Sequence, residues 1–148
     1  MTIYILNGPN LNLLGQREPE IYGRTTLDEI RKAVETHAQK AGARVDFRQS
    51  NHEGALIDWV QEASQKGKGI IVNPGAYTHT SIALHDALKA AFVPKIELHL
   101  SNIHAREAFR RQSMVSPAVD AVICGLGAAG YLTALDALLR LIDKRPFP

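Results

Sequence analysis

The chain has 148 residues, of which 45% are hydrophobic and 22% charged, with a formal net charge of +2. These values predict a single domain over residues 1–148 with a core of its own. Mixed charges along the chain argue against nucleic acid as a partner, and no apolar run or signal peptide points to a membrane, so we expect a cytoplasmic protein.

The first element is a short apolar run, TIYILN at residues 2–7, which predicts a buried strand. The segment that follows, residues 8–24, is long for a compact domain and is predicted to be an active-site lid loop. It carries Arg17 and Tyr22. A nearby guanidinium favours the phenolate form of tyrosine, so Tyr22 is a candidate base. Alternatively, Tyr22 packs under the loop and Arg17 pairs with a neighbouring glutamate.

Helices and strands alternate along the rest of the chain. Thr26 and Glu29 have the spacing of a capping box, and apolar residues at helical spacing predict a helix that ends near Gly42. The later predicted elements are an edge strand at 44–48, a helix through Leu56, Ile57, Val60 and Ala63, a central strand at 69–73, a helix from about Thr80 through Phe92, strands at 95–100 and 121–124, and a helix through Leu132, Leu135, Leu138 and Leu141. Five strands in this alternation predict an α/β fold, a flavodoxin-like doubly wound parallel sheet with helices on both faces.

Polar residues follow three of these strands, at their carboxyl ends. They are Asn7 and Asn10, then Asn73 and His79, then His99, Ser101 and Asn102. The carboxyl ends of parallel strands share one edge of the sheet, where such folds bind ligands. Period-two geometry also places Glu97 on the same side of its strand as His99, so Glu97 is able to orient the imidazole. A lone strand-end histidine is more often structural, but this convergence favours a catalytic one.

Three other site types are weighed against this one. GLGAAG at residues 125–130 matches a dinucleotide-binding motif, but no later strand follows to complete the βαβ unit that such a site needs. Tight packing of strand against helix is therefore the better interpretation. The histidines and Glu97 suggest a metal site, but their spacing fits no zinc signature and no metal is predicted. Lys95 begins its strand, and no lysine follows one, so imine chemistry has no candidate amine. Cys124 is interpreted as a small buried hydrophobe.

The arginines that follow the fourth strand are candidate anion-binding groups. Either Arg106 or Arg110 could hold a carboxylate through two parallel hydrogen bonds. The alternative is a solvated surface, which we expect for Arg106, for Arg111 or for both.

Together these motifs resemble one family over nearly the whole chain, the type II 3-dehydroquinate dehydratases. The motifs are NGPNL at 7–11, REP at 17–19 with YG at 22–23, RQSN at 48–51 with EG at 53–54, NPGAYTHTS at 73–81, residues 97–110, and GLG at 125–127 with GY at 130–131. His85 stands where many relatives have arginine before the aspartate, and Asp86 itself is present.

The resemblance implies dehydration of 3-dehydroquinate to 3-dehydroshikimate through an enolate, with neither cofactor nor metal. It implies that Tyr22 is the base, that Arg17 keeps it ionised, that His99 is the general acid and that Asn10 binds a water at the enolate oxygen. Substrate-binding roles fall to Asn73, His79, Asp86, Leu100, Ser101 and Arg110, with Glu97 behind His99. Asp86 is implied to reach a neighbouring subunit's site, because the family assembles trimers into dodecamers.

Two rival functions remain open at this stage. The first is a flavodoxin-type module that binds FMN or a similar small anion without chemistry of its own. The second is metal-assisted hydrolysis, which treatment with a chelator would distinguish from a metal-free reaction. The sequence also leaves open whether the enzyme serves shikimate formation or quinate breakdown.

Overall fold

The structure is a computed structural model that describes residues 1–16 and 18–144, without the side chain of Tyr22. In that part of the chain, parallel strands form one sheet in the order β2-β1-β3-β4-β5. The strands are β1 (Thr2–Asn7), β2 (Arg44–Gln49), β3 (Gly69–Asn73), β4 (Lys95–His99) and β5 (Ala121–Cys124). The helices are α1 (Pro19–Tyr22), α2 (Leu27–Lys40), α3 (Glu53–Lys66), α4 (Ile82–Ala90) and α5 (Ala129–Asp143). This order confirms the predicted doubly wound α/β sheet.

The sheet separates two hydrophobic cores. On one face, α2 and α5 bury side chains such as Val34 and Leu135 against Ile5 and Ile71. On the other face, α3 and α4 bury a second set that includes Leu56 and Leu84. The central strand β3 is buried along its whole length, which agrees with its apolar sequence up to Asn73. No helix among residues 1–16 and 18–144 is long and apolar enough to cross a membrane.

Local signals account for the ends of α2 but not for the end of α4. The Thr26 hydroxyl accepts a hydrogen bond from the backbone N–H of Glu29, and Gly42 lies past the helix end with φ +76°, as predicted. The prediction that the third long helix runs through Phe92 was wrong. That helix ends at Ala90, because the N–H of Phe92 donates to the Ser64 hydroxyl instead of continuing the helical bonds, and the Phe92 ring is 96% exposed.

The chain reverses its winding direction between β1 and β3, which are neighbours in the sheet. β2 follows β1 on one side, and β3 begins the series on the other side. Asn7 and Asn73, the last residues of β1 and β3, are partners in the strand register. A switch point of this kind leaves a crevice at the carboxyl edge, which is where the polar residues gather.

β5 forms the second edge of the sheet, and this changes the prediction for Cys124. Its side chain is only partly buried, with Sγ 4.0 Å from Asn102 Oδ1, since one flank of the edge strand has no neighbouring strand to cover it.

Candidate active site

A cleft opens at the carboxyl edge of the sheet, above β1, β3 and β4. It encloses about 690 Å³ of empty space, part of it open to solvent. Seven of the predicted site residues line it: Asn10, Asn73, His79, His99, Leu100, Ser101 and Arg110. They come from three separate loops, so the convergence expected from parallel strand ends is what the structure shows.

Four predicted residues lie elsewhere or outside the described part. Glu97 lies behind His99, beneath the cleft. Asp86 is exposed on α4 and is not part of the cleft lining of its own chain. Arg17 and the side chain of Tyr22 lie outside the described residues.

The segment that was predicted to be a lid loop contains the short helix α1 and borders the site. Ile21 and Gly23, which flank Tyr22 in the sequence, line a second cavity that shares Leu100 and Ser101 with the cleft. The backbone around Tyr22 is thus adjacent to the loop that follows His99.

His99 and Glu97 form a buried hydrogen-bonded pair. The distance between His99 Nε2 and Glu97 Oε2 is 2.5 Å, with Glu97 fully buried and His99 5% exposed. An ionised carboxylate can only accept, so Nε2 carries the hydrogen and Nδ1 is the imidazole nitrogen left for a ligand. This arrangement confirms that Glu97 contacts the imidazole, and it makes His99 suited to transfer a proton through Nδ1.

The Glu97 carboxylate is held by three hydroxyl groups as well as by His99. Thr78 Oγ1 donates to Oε2 at 3.1 Å, Ser116 Oγ donates to Oε1 at 2.7 Å, and Ser113 Oγ lies 3.0 Å from both oxygens. Burial raises the pKa of Glu97, but the hydrogen bond and charge of His99 and the two serine hydroxyls outweigh it, so the pKa lies below its ordinary value. The carboxylate is therefore ionised at neutral pH. Sequence reasoning missed these hydroxyls.

A second buried network fixes Asn73. The Tyr131 hydroxyl donates to Asn7 Oδ1 at 2.6 Å and accepts from Asn73 Nδ2 at 3.0 Å. Burial raises the pKa of Tyr131 despite the Asn73 bond, which keeps the hydroxyl protonated and able to donate. Asn73 Oδ1 accepts from the Gly75 N–H at 3.3 Å. The amide at the floor of the cleft thus has both ends held before any ligand binds.

His79 and two arginines supply the polar wall of the cleft. His79 Nδ1 donates to the Gln112 carbonyl oxygen at 2.7 Å, because a carbonyl oxygen can only accept, and this leaves Nε2 of the neutral ring as an acceptor. Arg110 bonds to Glu107 through Nε at 2.9 Å. We expected a solvated surface for Arg106, for Arg111 or for both, and the structure shows it for Arg111, which is exposed, whereas Arg106 lines the cleft.

The glycine motif at residues 125–130 supports the loop that carries Ser101. The Gly127 N–H donates to the Leu100 carbonyl oxygen at 2.9 Å, and Gly127 has φ +61°. A Cβ atom at Gly130 would lie 3.0 Å from Leu98 Cδ1. The close approach at Gly130 agrees with the packing interpretation of the motif rather than with a dinucleotide site.

Comparison with known proteins decides the family. The family profile described as "Dehydroquinase class II" matches residues 1–139. The 3-dehydroquinate dehydratase of Rhizobium meliloti (strain 1021) is 60% identical over 143 residues, which is 97% of each chain. The chain belongs to the class II dehydroquinase family.

Solved structures of class II dehydroquinases have the same fold. The type II dehydroquinase from Butyrivibrio crossotus DSM 2876 superimposes with a TM-score of 0.92 at 45% identity, over 94% of this chain and 97% of that one. The type II dehydroquinase from Propionibacterium acnes gives a TM-score of 0.89 at 42% identity, over 96% of each chain. These matches confirm both the resemblance found in the sequence and the flavodoxin-like fold.

Proposed function

We propose that this protein is a 3-dehydroquinate dehydratase, a lyase that converts 3-dehydroquinate to 3-dehydroshikimate in the shikimate pathway. The observation that carries the proposal is the buried Glu97–His99 pair beneath a cleft with two arginines in its wall. Membership of the class II dehydroquinase family supports it, because the relatives that match along nearly their whole length carry this activity in their names. A flavin-binding module has no comparable support.

The proposed reaction needs one base and one acid. The Tyr22 phenolate takes a proton from C2 of the substrate, and the electrons of the C–H bond move to the C3 carbonyl oxygen to form an enolate. The enolate then collapses to a C1–C2 double bond as the C1 hydroxyl leaves, with a proton from His99, as water. Arg17 keeps Tyr22 ionised, and Asn10 holds a water on the enolate oxygen. General acid and base catalysis each contribute ~10²–10⁴-fold to such a reaction.

Substrate binding is assigned to the walls of the cleft. The substrate carboxylate is bound by Arg110 and the Leu100–Ser101 turn, and we add Arg106 because it lines the same cleft. Asn73 and His79 bind substrate hydroxyls, and the free Nε2 of His79 is suited to accept from one.

We also propose that the enzyme works in the cytoplasm without cofactor or metal, as a dodecamer assembled from trimers. Asp86 is exposed on α4 and outside its own chain's cleft, so it is available to reach the site of a neighbouring subunit. His85, which precedes it, donates through Nδ1 to the Met114 carbonyl oxygen at 2.7 Å.

The proposal is tested by incubating the purified protein with 3-dehydroquinate. The product contains a carbon–carbon double bond conjugated with the ketone, so its formation is followed as a rise in ultraviolet absorbance. We expect catalytic turnover, and a sample of the His99→Ala variant prepared in the same way should be nearly inactive. No absorbance change with the unsubstituted protein would refute the proposed function.

A further inference from the structure

Residues 112–116 form a strap that is anchored to the loop after β3 and to α4. The Met114 N–H donates to the Thr78 carbonyl oxygen at 2.7 Å. In the other direction, the Gln112 carbonyl oxygen accepts from His79 Nδ1 and the Met114 carbonyl oxygen accepts from His85 Nδ1, both at 2.7 Å. Three hydrogen bonds to the main chain of the strap therefore fix its position, independently of its own side chains.

The two serines of the strap direct their hydroxyl protons at Glu97. Ser113 Oγ accepts hydrogen bonds from the N–H groups of Val115 and Ser116, so its single proton is left for the carboxylate. Ser116 Oγ donates to Glu97 Oε1, while His99 bonds to the opposite oxygen, Oε2. The hydroxyls thus set the plane of the carboxylate and turn Oε2 toward the imidazole.

The charges around Glu97 show why these hydroxyls matter. His99 is the ionisable group in contact with the buried carboxylate. Lys95, on the same side of β4, directs its ammonium to the carbonyl oxygens of Ala91 and Val93. From the neighbouring segments, His79 and His85 bond to the strap carbonyls, Asp86 is exposed, and the two cleft arginines lie on the loop after His99. The neutral hydroxyls are therefore a main source of stabilisation for the anion beyond His99 itself.

We propose that Ser113 and Ser116 are positioning residues for the general acid: their hydroxyls keep Glu97 ionised and aligned, so that Glu97 holds His99 in the orientation that donates from Nδ1. This inference rests on the proposed function for its kinetic consequences. The contacts themselves do not depend on the substrate, so it can also be tested without one.

The cleanest variant is Ser116→Ala, because the hydrogen bond that Ser116 Oγ makes in the structure is the one to Glu97. We expect kcat to fall on the order of tenfold at neutral pH, since a hydrogen bond to a charged group is worth about one power of ten. KM should change little, because Ser116 is not part of the cleft lining. Loss of one donor also raises the pKa of Glu97, so the acid limb of the kcat profile should move to higher pH.

Two further variants separate positioning from a general loss of structure. Ser116→Thr keeps a hydroxyl and should restore most of kcat and the original acid limb. Ser64→Ala removes a hydroxyl that accepts from the Phe92 N–H, away from the cleft, and should leave the kcat profile unchanged. A Ser116→Ala profile that superimposes on that of the unsubstituted protein, or a Ser116→Thr profile that matches Ser116→Ala, would overturn the inference.

The free energy of unfolding provides the readout that needs no substrate. The lowered pKa of Glu97 contributes stability that is present above the unfolded pKa and is lost as pH falls through the folded one. The stability lost in Ser116→Ala should accordingly be greatest at neutral pH and shrink in acid, whereas that of Ser64→Ala should not depend on pH. If the unsubstituted protein does not turn over 3-dehydroquinate, the proposed function fails, and this measurement alone decides the inference: a pH-independent loss in Ser116→Ala overturns it.

Discussion

Substituting Tyr131→Phe tests the buried network behind the cleft. The change removes one oxygen atom that is fully buried and leaves the ring in the core. It takes the donor from Asn7 Oδ1 and the acceptor from Asn73 Nδ2, on side chains that are 0% and 2% exposed. Each buried polar group left without a partner costs about 1–3 kcal/mol, so the two groups together cost about 2–6 kcal/mol. The easier burial of phenylalanine offsets part of this cost, and we expect a net loss of about 2–4 kcal/mol.

The loss is measured as the free energy of unfolding from denaturant titrations of both proteins, with the slope compared as well as the midpoint. Tyr77→Phe is the matched control, because it removes a hydroxyl that donates to the Asn51 carbonyl oxygen at an exposed position, and about 1 kcal/mol or less is expected there. KM for 3-dehydroquinate should also rise in Tyr131→Phe, since Asn73 lines the cleft. Equal losses in the two variants would refute the argument from burial.

Three further predictions concern the chemistry and the assembly. Glu97→Gln should lower kcat by at least ~10²-fold, because it removes the charge that holds His99. Its loss of stability should be largest at neutral pH and smaller in acid, since the native pKa of Glu97 is lowered, and a loss that does not depend on pH would contradict this. Activity should survive EDTA, because no three His, Cys, Asp or Glu residues among those described could together hold a metal. It should also survive borohydride in the presence of substrate, because the Lys95 ammonium is bound to backbone carbonyls at the far end of β4 from His99. Inactivation by either reagent would contradict the mechanism. Light scattering should give the mass of a dodecamer, with Asp86→Ala impaired in turnover, and a fully active monomer would contradict the shared site.

The sheet and the Glu97–His99 pair could be predicted because both follow from short-range periodicity. Alternating strands and helices predicted a parallel sheet, for which five strands favoured the flavodoxin-like order that the structure has. A two-residue spacing on β4 placed the carboxylate and the imidazole side by side. The individual strands and the pairing on β4 depend on backbone geometry that neighbouring residues determine, whereas the strand order follows from the few arrangements open to alternating strands and helices.

Features that depend on distant contacts were not accessible in this way. Ser113 and Ser116 lie in an aperiodic polar segment, and only the folded chain brings their hydroxyls to Glu97. The end of α4 depends on a hydrogen bond from Phe92 to Ser64 on another helix. Tyr131 has the helical spacing of a core residue, and this spacing gives no sign of the hydrogen bonds that its hydroxyl makes with Asn7 and Asn73.

The central claim is that Tyr22 is the base in a cleft whose acid is His99. It is tested most directly by comparing Tyr22→Phe with the unsubstituted protein, measuring kcat for 3-dehydroquinate beside the calorimetric dissociation constant of a substrate analogue. Tyr22→Phe removes only the ionisable oxygen, so we predict that kcat falls at least ~10²-fold while the dissociation constant changes little. A kcat near that of the unsubstituted protein would contradict the assignment and leave Tyr22 as a packing residue of the lid.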